Sequence, residues 1–312
     1  MNAPDRKWQG TLPASNGHSL FVQSCGGETA VPVIILHGGP GSAVSSLDFE
    51  VFSTDEHYVV GFDQRGGGRS KPLGSLDFNM TSDLVADIDR VLTFVGAGRC
   101  IIFARSWGVE LALRYAALRP TVCTGLLLFG CFLCDHPSAS RYLLAPPSGL
   151  EGAWDVVVAE LDRRPTPNLG LATARLIAED PRRGLRAARA LLAYERACVS
   201  FGQSHVQHRT HSQSATAAYL KIRMHYLRND YFPDGRQWKD RAARLGDIPI
   251  EIVHGATDLI CPLVCSQDLA AELPSTATLT IVPDGTHQAF QTTNLMALKS
   301  AADRLTSRLG LR

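Results

Sequence analysis

The stretch CIIFARSWGVELAL, from Cys100 to Leu113, joins an apolar run to a helical one across a single serine. Cys100 to Ala104 has the length and composition of a buried strand. From Ser106 to Leu118 the apolar residues fall at helical spacing. A serine on a sharp strand-to-helix turn has its hydroxyl lifted clear of the backbone, the pattern usually written G-x-S-x-G. Small residues are needed two before and two after it, because the turn brings backbone and neighbouring strands close. Ala104 takes the first position, where glycine is usual, and Gly108 the second. A serine that merely caps a buried helix would look similar, so its surroundings have to decide.

On the N-terminal side, Val31 to Leu36 and Tyr58 to Phe62 read as further buried strands. Ser82 to Val95 has helical spacing, with Ser82 or Asp83 expected at its N-cap. On the C-terminal side Gly125 to Phe129 is another strand. From about Cys131 to Arg236 such runs disappear, and stretches rich in Ala, Leu and Arg, such as Pro181 to Tyr194, read as helices. After Asp247 the first pattern resumes with strands at Ile248 to Val253 and Thr278 to Val282, and helices at Pro262 to Glu272 and Gln288 to Leu309. Strand alternating with helix predicts a mostly parallel α/β sheet covered on both faces. The expected organisation is one core, residues 1–130 and 237–312, with a helical cap, 131–236, inserted between its halves.

The 312 residues are 45% apolar, enough for a large core, and 31 basic residues offset 30 acidic ones. That balance argues against nucleic acid as a partner, since phosphate recognition needs a clustered basic excess. The longest mainly apolar run, Gly125 to Cys134, is half of what a membrane span requires. No basic-then-apolar signal pattern opens the chain, so a cytoplasmic protein is expected. Eight cysteines without a regular framework read as reduced, mostly buried thiols. Cys131 and Cys134 form a lone C-x-x-C, and no second pair completes a zinc site. His205, His208 and His211 form a stripe that reads as a solvated polar face, with no acidic or thiol ligand close by in sequence.

Chemistry points elsewhere. His37-Gly38-Gly39-Pro40-Gly41 follows a strand, and its glycines let an amide face a cavity, as an oxyanion hole requires. The expected donors are the N–H groups of Gly39 and Trp107. Asp258, in a loop after the strand ending at Val253, and His287, in a loop after the strand ending at Val282, supply acid then histidine in the chain order such sites use. Ser106, Asp258 and His287 are the candidate catalytic set. The plainer readings are a tight Gly-Pro turn and a surface histidine.

Taken together, His37 to Gly41 (HGGPG), Asp63 to Ser70 (DQRGGGRS), Ser106-Trp107-Gly108 and the His254-to-Pro262 segment resemble the proline iminopeptidases. These are prolyl aminopeptidases of the S33 serine peptidase family with the α/β-hydrolase fold. The resemblance implies removal of an N-terminal residue, often proline, through an acyl-enzyme and without metal or organic cofactor. It makes Asp63 and Arg65 structural ionic residues near the site. In that family a W-E pair and a later I-E-x-H-Y stretch supply two glutamates to the substrate ammonium. Tyr194-Glu195 resembles the first; at the second, Ile222-Arg223-Met224-His225-Tyr226 has arginine in place of glutamate. Arg105 likewise replaces a glycine beside the serine. Glu195, Arg223 and Arg105 are therefore the candidate substrate-binding residues for a small molecule or short peptide. A Glu–Arg pair largely satisfies itself, which leaves open a hydrolase of other amides or esters. A non-catalytic binding protein on the same scaffold is the third possibility.

Overall fold

The computed structural model describes residues 8–27, 31–162, 168–202 and 212–311. Eight strands form one sheet in the order β1-β2-β4-β3-β5-β6-β7-β8. They are β1 (Trp8–Pro13), β2 (Ser19–Cys25), β3 (Val33–Leu36), β4 (Val59–Phe62), β5 (Cys100–Arg105), β6 (Cys123–Phe129), β7 (Ile250–Gly255) and β8 (Ala277–Val282). The six strands from β3 onward run parallel, and β2 joins β4 antiparallel, with β1 hairpinned onto β2.

Parallel strands buried on both faces need apolar residues at every position, and β3 is buried throughout. Ile34, Leu36, Ile102, Ala104, Leu126 and Leu128 point into one core, while Val33, Ile35, Ile101, Phe103, Leu127 and Phe129 point into the other. Each such aliphatic side chain contributes roughly 1.5–3 kcal/mol by leaving water. The first face carries α1 (Thr81–Phe94), α2 (Trp107–Leu118) and α8 (Leu263–Glu272); the second carries α9 (Thr292–Arg308). Between β6 and β7 the chain makes α3 (Glu151–Glu160), α4 (Leu169–Glu179), α5 (Pro181–Ser200), α6 (Gln213–Arg228) and the short α7 (Trp238–Ala242). No helix among the described residues is long and apolar enough to cross a membrane.

Several boundaries differ from the sequence expectation. Helix α1 begins at Thr81, so neither Ser82 nor Asp83 is its N-cap. Asp83 is the third helical residue and reaches back to accept the N–H of the N-cap residue Met80 at 2.9 Å, the reciprocal half of a capping box. Helix α9 begins at Thr292 rather than Gln288, because the segment after β8 is spent on a loop that carries His287. The strands β1 and β2 have no counterpart in the sequence reading. Polar and apolar residues are mixed along both, and no all-apolar run announces them.

Candidate active site

At the end of β5 the chain turns into α2 with Ser106 at φ 54°, ψ −124°. A non-glycine residue held there costs on the order of 1–3 kcal/mol, so its surroundings must enforce the geometry. They do so from both sides: Ser106 donates its N–H to the Phe129 carbonyl at 2.8 Å, and its own carbonyl accepts from Val109 at 2.9 Å. Gly108 makes the turn possible, since a Cβ there would stand 2.1 Å from the Leu36 carbonyl oxygen at the end of β3.

Three loops at the carboxyl ends of parallel strands bring the candidate set together. His287 Nε2 lies 3.0 Å from Ser106 Oγ, and His287 Nδ1 lies 2.7 Å from Asp258 Oδ2. The other carboxylate oxygen of Asp258 accepts the N–H groups of Ile260 and Cys261, both at 2.8 Å. Burial alone would raise the Asp258 pKa. The His287 and His254 imidazoles and the Cys261 N–H outweigh burial and hold it below the ordinary carboxylate value. His254 is buried beside them, its Nε2 2.8 Å from the Cys261 carbonyl and its Nδ1 2.6 Å from Ser266 Oγ. Desolvation lowers its pKa despite the pull of Asp258, and its two hydrogen bonds fix the loop that carries the acid.

Beside Ser106 lies the loop after β3. Neither the Gly39 N–H nor the Trp107 N–H is engaged by another group among the described residues. Trp107 opens α2, where helical N–H groups have no partner one turn back. The loop is held by Gln64, whose side chain spans both halves. Its Nε2 donates to the His37 carbonyl at 2.9 Å, and its Oε1 accepts the Trp107 indole N–H at 3.0 Å. His37 is fully buried; its Nδ1 stands 2.6 Å from the Gly38 carbonyl and its Nε2 accepts the Gln64 backbone N–H at 3.0 Å. That pairing suits only the neutral ring, and desolvation lowers the His37 pKa accordingly, against the pull of Asp63.

A cavity of about 200 Å³ opens over Ser106 and His287, lined also by Gly38, Gly39, Arg105, Tyr142, Glu195, Tyr219 and Arg223. Glu195 on α5 and Arg223 on α6 form the ion pair their sequence positions suggested. Arg223 Nη2 and Nε reach Glu195 Oε1 at 2.5 and 3.2 Å, and the Tyr142 hydroxyl donates to the same oxygen at 2.9 Å. Glu195 Oε2 has no hydrogen-bond partner among the described residues. Arg223 Nη1 continues to the Gly39 carbonyl at 3.1 Å. Arg105 is clamped by the buried Asp48, Nε to Oδ1 at 2.7 Å and Nη2 to Oδ2 at 3.0 Å.

Asp63 and Arg65 are both fully buried, each in its own structural pair. Asp63 takes the Arg69 guanidinium and the N–H groups of Val44 and Arg69; Arg65 holds Asp87 at 2.6 and 2.9 Å. Cys131 is buried, and desolvation pushes its thiol up to about 12. Cys134 gathers with Glu110 and Asp135 at ligand-like spacing, but the Arg114 and Arg241 guanidinium groups lie on that carboxylate pair and supply its positive charge. The histidine stripe at 205, 208 and 211 lies outside the described residues. Sequence reasoning missed Gln64, Asp48, Tyr142 and Tyr219 as parts of the site. Gln64 stands inside the quoted DQRGGGRS motif and carried a signal there; the other three are visible only through the fold.

The α/β hydrolase fold family matches residues 31–292. Proline iminopeptidase of Xylella fastidiosa (strain 9a5c) is 36% identical over 301 residues, covering 94% of this chain and 95% of that protein. Proline iminopeptidase of Neisseria gonorrhoeae is 32% identical over 306 residues, covering 96% of each. Among solved structures, a proline iminopeptidase-related protein from Thermus thermophilus superposes with a TM-score of 0.60 at 21% identity, covering 97% of this chain and 98% of that one. A haloalkane dehalogenase variant from Bradyrhizobium elkanii reaches 0.64 at 16% identity, over 96% and 97%, a likeness of fold alone. With the fold, the motifs and near-full-length similarity in agreement, the chain belongs to the proline iminopeptidase family of α/β hydrolases and is an aminopeptidase-like hydrolase.

Proposed function

We propose that the protein removes a proline- or alanine-like N-terminal residue from short peptides or amides through an acyl-enzyme, with Ser106 as nucleophile. The observation that carries this reading is the continuous chain from Ser106 Oγ through His287 to Asp258, at one cavity with a free oxygen of Glu195. Ser106 Oγ attacks the scissile carbonyl carbon as its proton passes to His287 Nε2. The Nδ1–H remains on Asp258, which stabilises the imidazolium without taking the proton. The N–H groups of Gly39 and Trp107 meet the oxyanion. His287 then protonates the leaving nitrogen as the carbon–nitrogen bond breaks, and water repeats the sequence to free the acid. Residues 131–236 act as a cap, bringing Tyr142, Glu195, Tyr219 and Arg223 over the serine. Glu195 Oε2 accepts a hydrogen bond from the substrate ammonium.

Arg223 favours a second reading, an amide or ester hydrolase for a non-peptide metabolite, because it already neutralises Glu195. Anilides of proline and alanine, with and without an N-acetyl block, separate the two. The first reading requires free-amine substrates to be preferred; preference for the blocked ones selects the second. Arg223→Glu should shift preference further toward free amines by leaving two anionic anchors.

A further inference from the structure

Arg105 stands one residue before the serine, yet its guanidinium is fixed by residues unrelated to the Glu195 cluster. Asp48 grips the Nε and Nη2 edge. The plane packs over the Phe290 ring, 5.3 Å from its centroid, three residues past His287. The third nitrogen, Nη1, has no partner among the described residues, and the side chain is 18% exposed where it lines the cavity. A Cβ built on Gly38 would lie 3.3 Å from Ser106 Cβ and 3.6 Å from Arg105 Nη1, so serine and cation flank the same small gap.

We infer that Arg105 Nη1 forms a subsite for a carboxylate on the leaving group. The inference rests on the hydrolytic reading of the cavity given above. In acyl transfer the leaving group must come within reach of the proton on His287, so it lies on the side of the serine bounded by the loop that carries His287 and Phe290. Arg105 is the cation packed on that loop, whereas Glu195 and Arg223 belong to α5 and α6. Asp48 neutralises one edge of the guanidinium and also immobilises it, so the remaining N–H donors are already aimed when a ligand arrives. Two sources carry the required group: the terminal carboxylate of a dipeptide, or an acidic side chain on the residue that follows the scissile bond. The gap beside Ser106 is short, which favours the terminal carboxylate.

The test compares kcat/KM for prolyl-alanine, prolyl-alaninamide and prolyl-glutamyl amide, together with 2-acetoxybenzoate and its carboxamide, which carry no amine and hold the charged group close to the leaving oxygen. Wild type should prefer each carboxylate over its neutral partner by roughly tenfold, the lower end for a charged hydrogen bond. Arg105→Met should bring both ratios close to one. Because that change strands Asp48 in the core, the double variant Arg105→Met with Asp48→Asn is measured alongside it, and rates are normalised to Ser106 labelled by a fluorophosphonate. Prolyl-glutamyl amide matching prolyl-alanine assigns the subsite to a side-chain carboxylate; matching the amide assigns it to the chain terminus. Ratios that are the same in wild type and in both variants overturn the subsite. Loss of all prolyl turnover, with the aryl ester ratio still collapsing in the variants, keeps the subsite and overturns the aminopeptidase reading instead.

Discussion

Glu195→Gln offers a sharp discrimination because the structure dictates how the new amide must sit. Oε1 of Glu195 accepts from Tyr142 and twice from Arg223, whereas Oε2 accepts from nothing described. Glutamine has only one acceptor oxygen, and three donors demand it at the Oε1 position. Its NH2 group is then forced into the place of Oε2. A substrate ammonium arriving there meets a donor instead of an acceptor. The expected loss is that of a hydrogen bond to a charged group, about 1.5–3 kcal/mol, or roughly 10- to 150-fold in kcat/KM for prolyl anilide. A small neutral ester approaches Ser106 without using Oε2 and should lose little. The two side chains are about one-tenth exposed, so removing the negative charge also strands Arg223 at a cost of several kcal/mol in stability. Urea denaturation reports that second effect, and fluorophosphonate labelling counts intact sites so that the kinetic effect is read separately. Equal losses on anilide and ester would show that Oε2 does not read the amine.

Ser106→Ala should lower turnover by about 10⁴-fold or more while leaving the melting temperature close to wild type, since Cβ is retained; retention of a tenth of the activity would remove the serine from the mechanism. Gly108→Ala sets a methyl against the Leu36 carbonyl oxygen and should cost at least about 1–3 kcal/mol in urea. A penalty under about 0.5 kcal/mol, typical of open surface positions, would mean the turn can widen freely. The buried His37 and His254 have lowered pKa values, so the unfolded chain binds protons that the folded one refuses. Stability should therefore be fully present above about pH 6.5 and fall as the solution is acidified, by at most about 1.4 kcal/mol per pH unit for each ring. Urea midpoints that stay level between pH 7 and 5 would contradict that assignment.

The parts of the fold that could be read from the chain are those whose environment is uniform. Strand β3, and β5 as far as Ala104, are buried on both faces, so their residues must be apolar there. The serine turn was legible for a related reason: only a small residue fits at 108, and a backbone contact rather than a preference enforces it. Strand β1 is half exposed and lies at the sheet edge, so its residues obey no such demand. Within the site, Ser106, Asp258 and His287 could be ordered because chain order and post-strand loops constrain them. Asp48 could not be found this way. It lies in a short 3-10 helix, 57 residues before Arg105, and nothing local to either residue says they meet. The charge pattern suggested that Arg223 would take Glu195, but it could not show that one carboxylate oxygen would remain free. That outcome depends on where Tyr142 falls between them.

Arg223 touches two things at once: the carboxylate of α5 and, through Nη1, the carbonyl of Gly39. The covering helices and the glycine loop are thus fastened by one guanidinium, and they form an interlock. If α6 swings outward to admit a ligand, the loop loses its brace and the amide preceding it drifts from the serine. The geometry of the oxyanion-binding loop is therefore tied to the seating of α6, although the two segments are 184 residues apart in sequence.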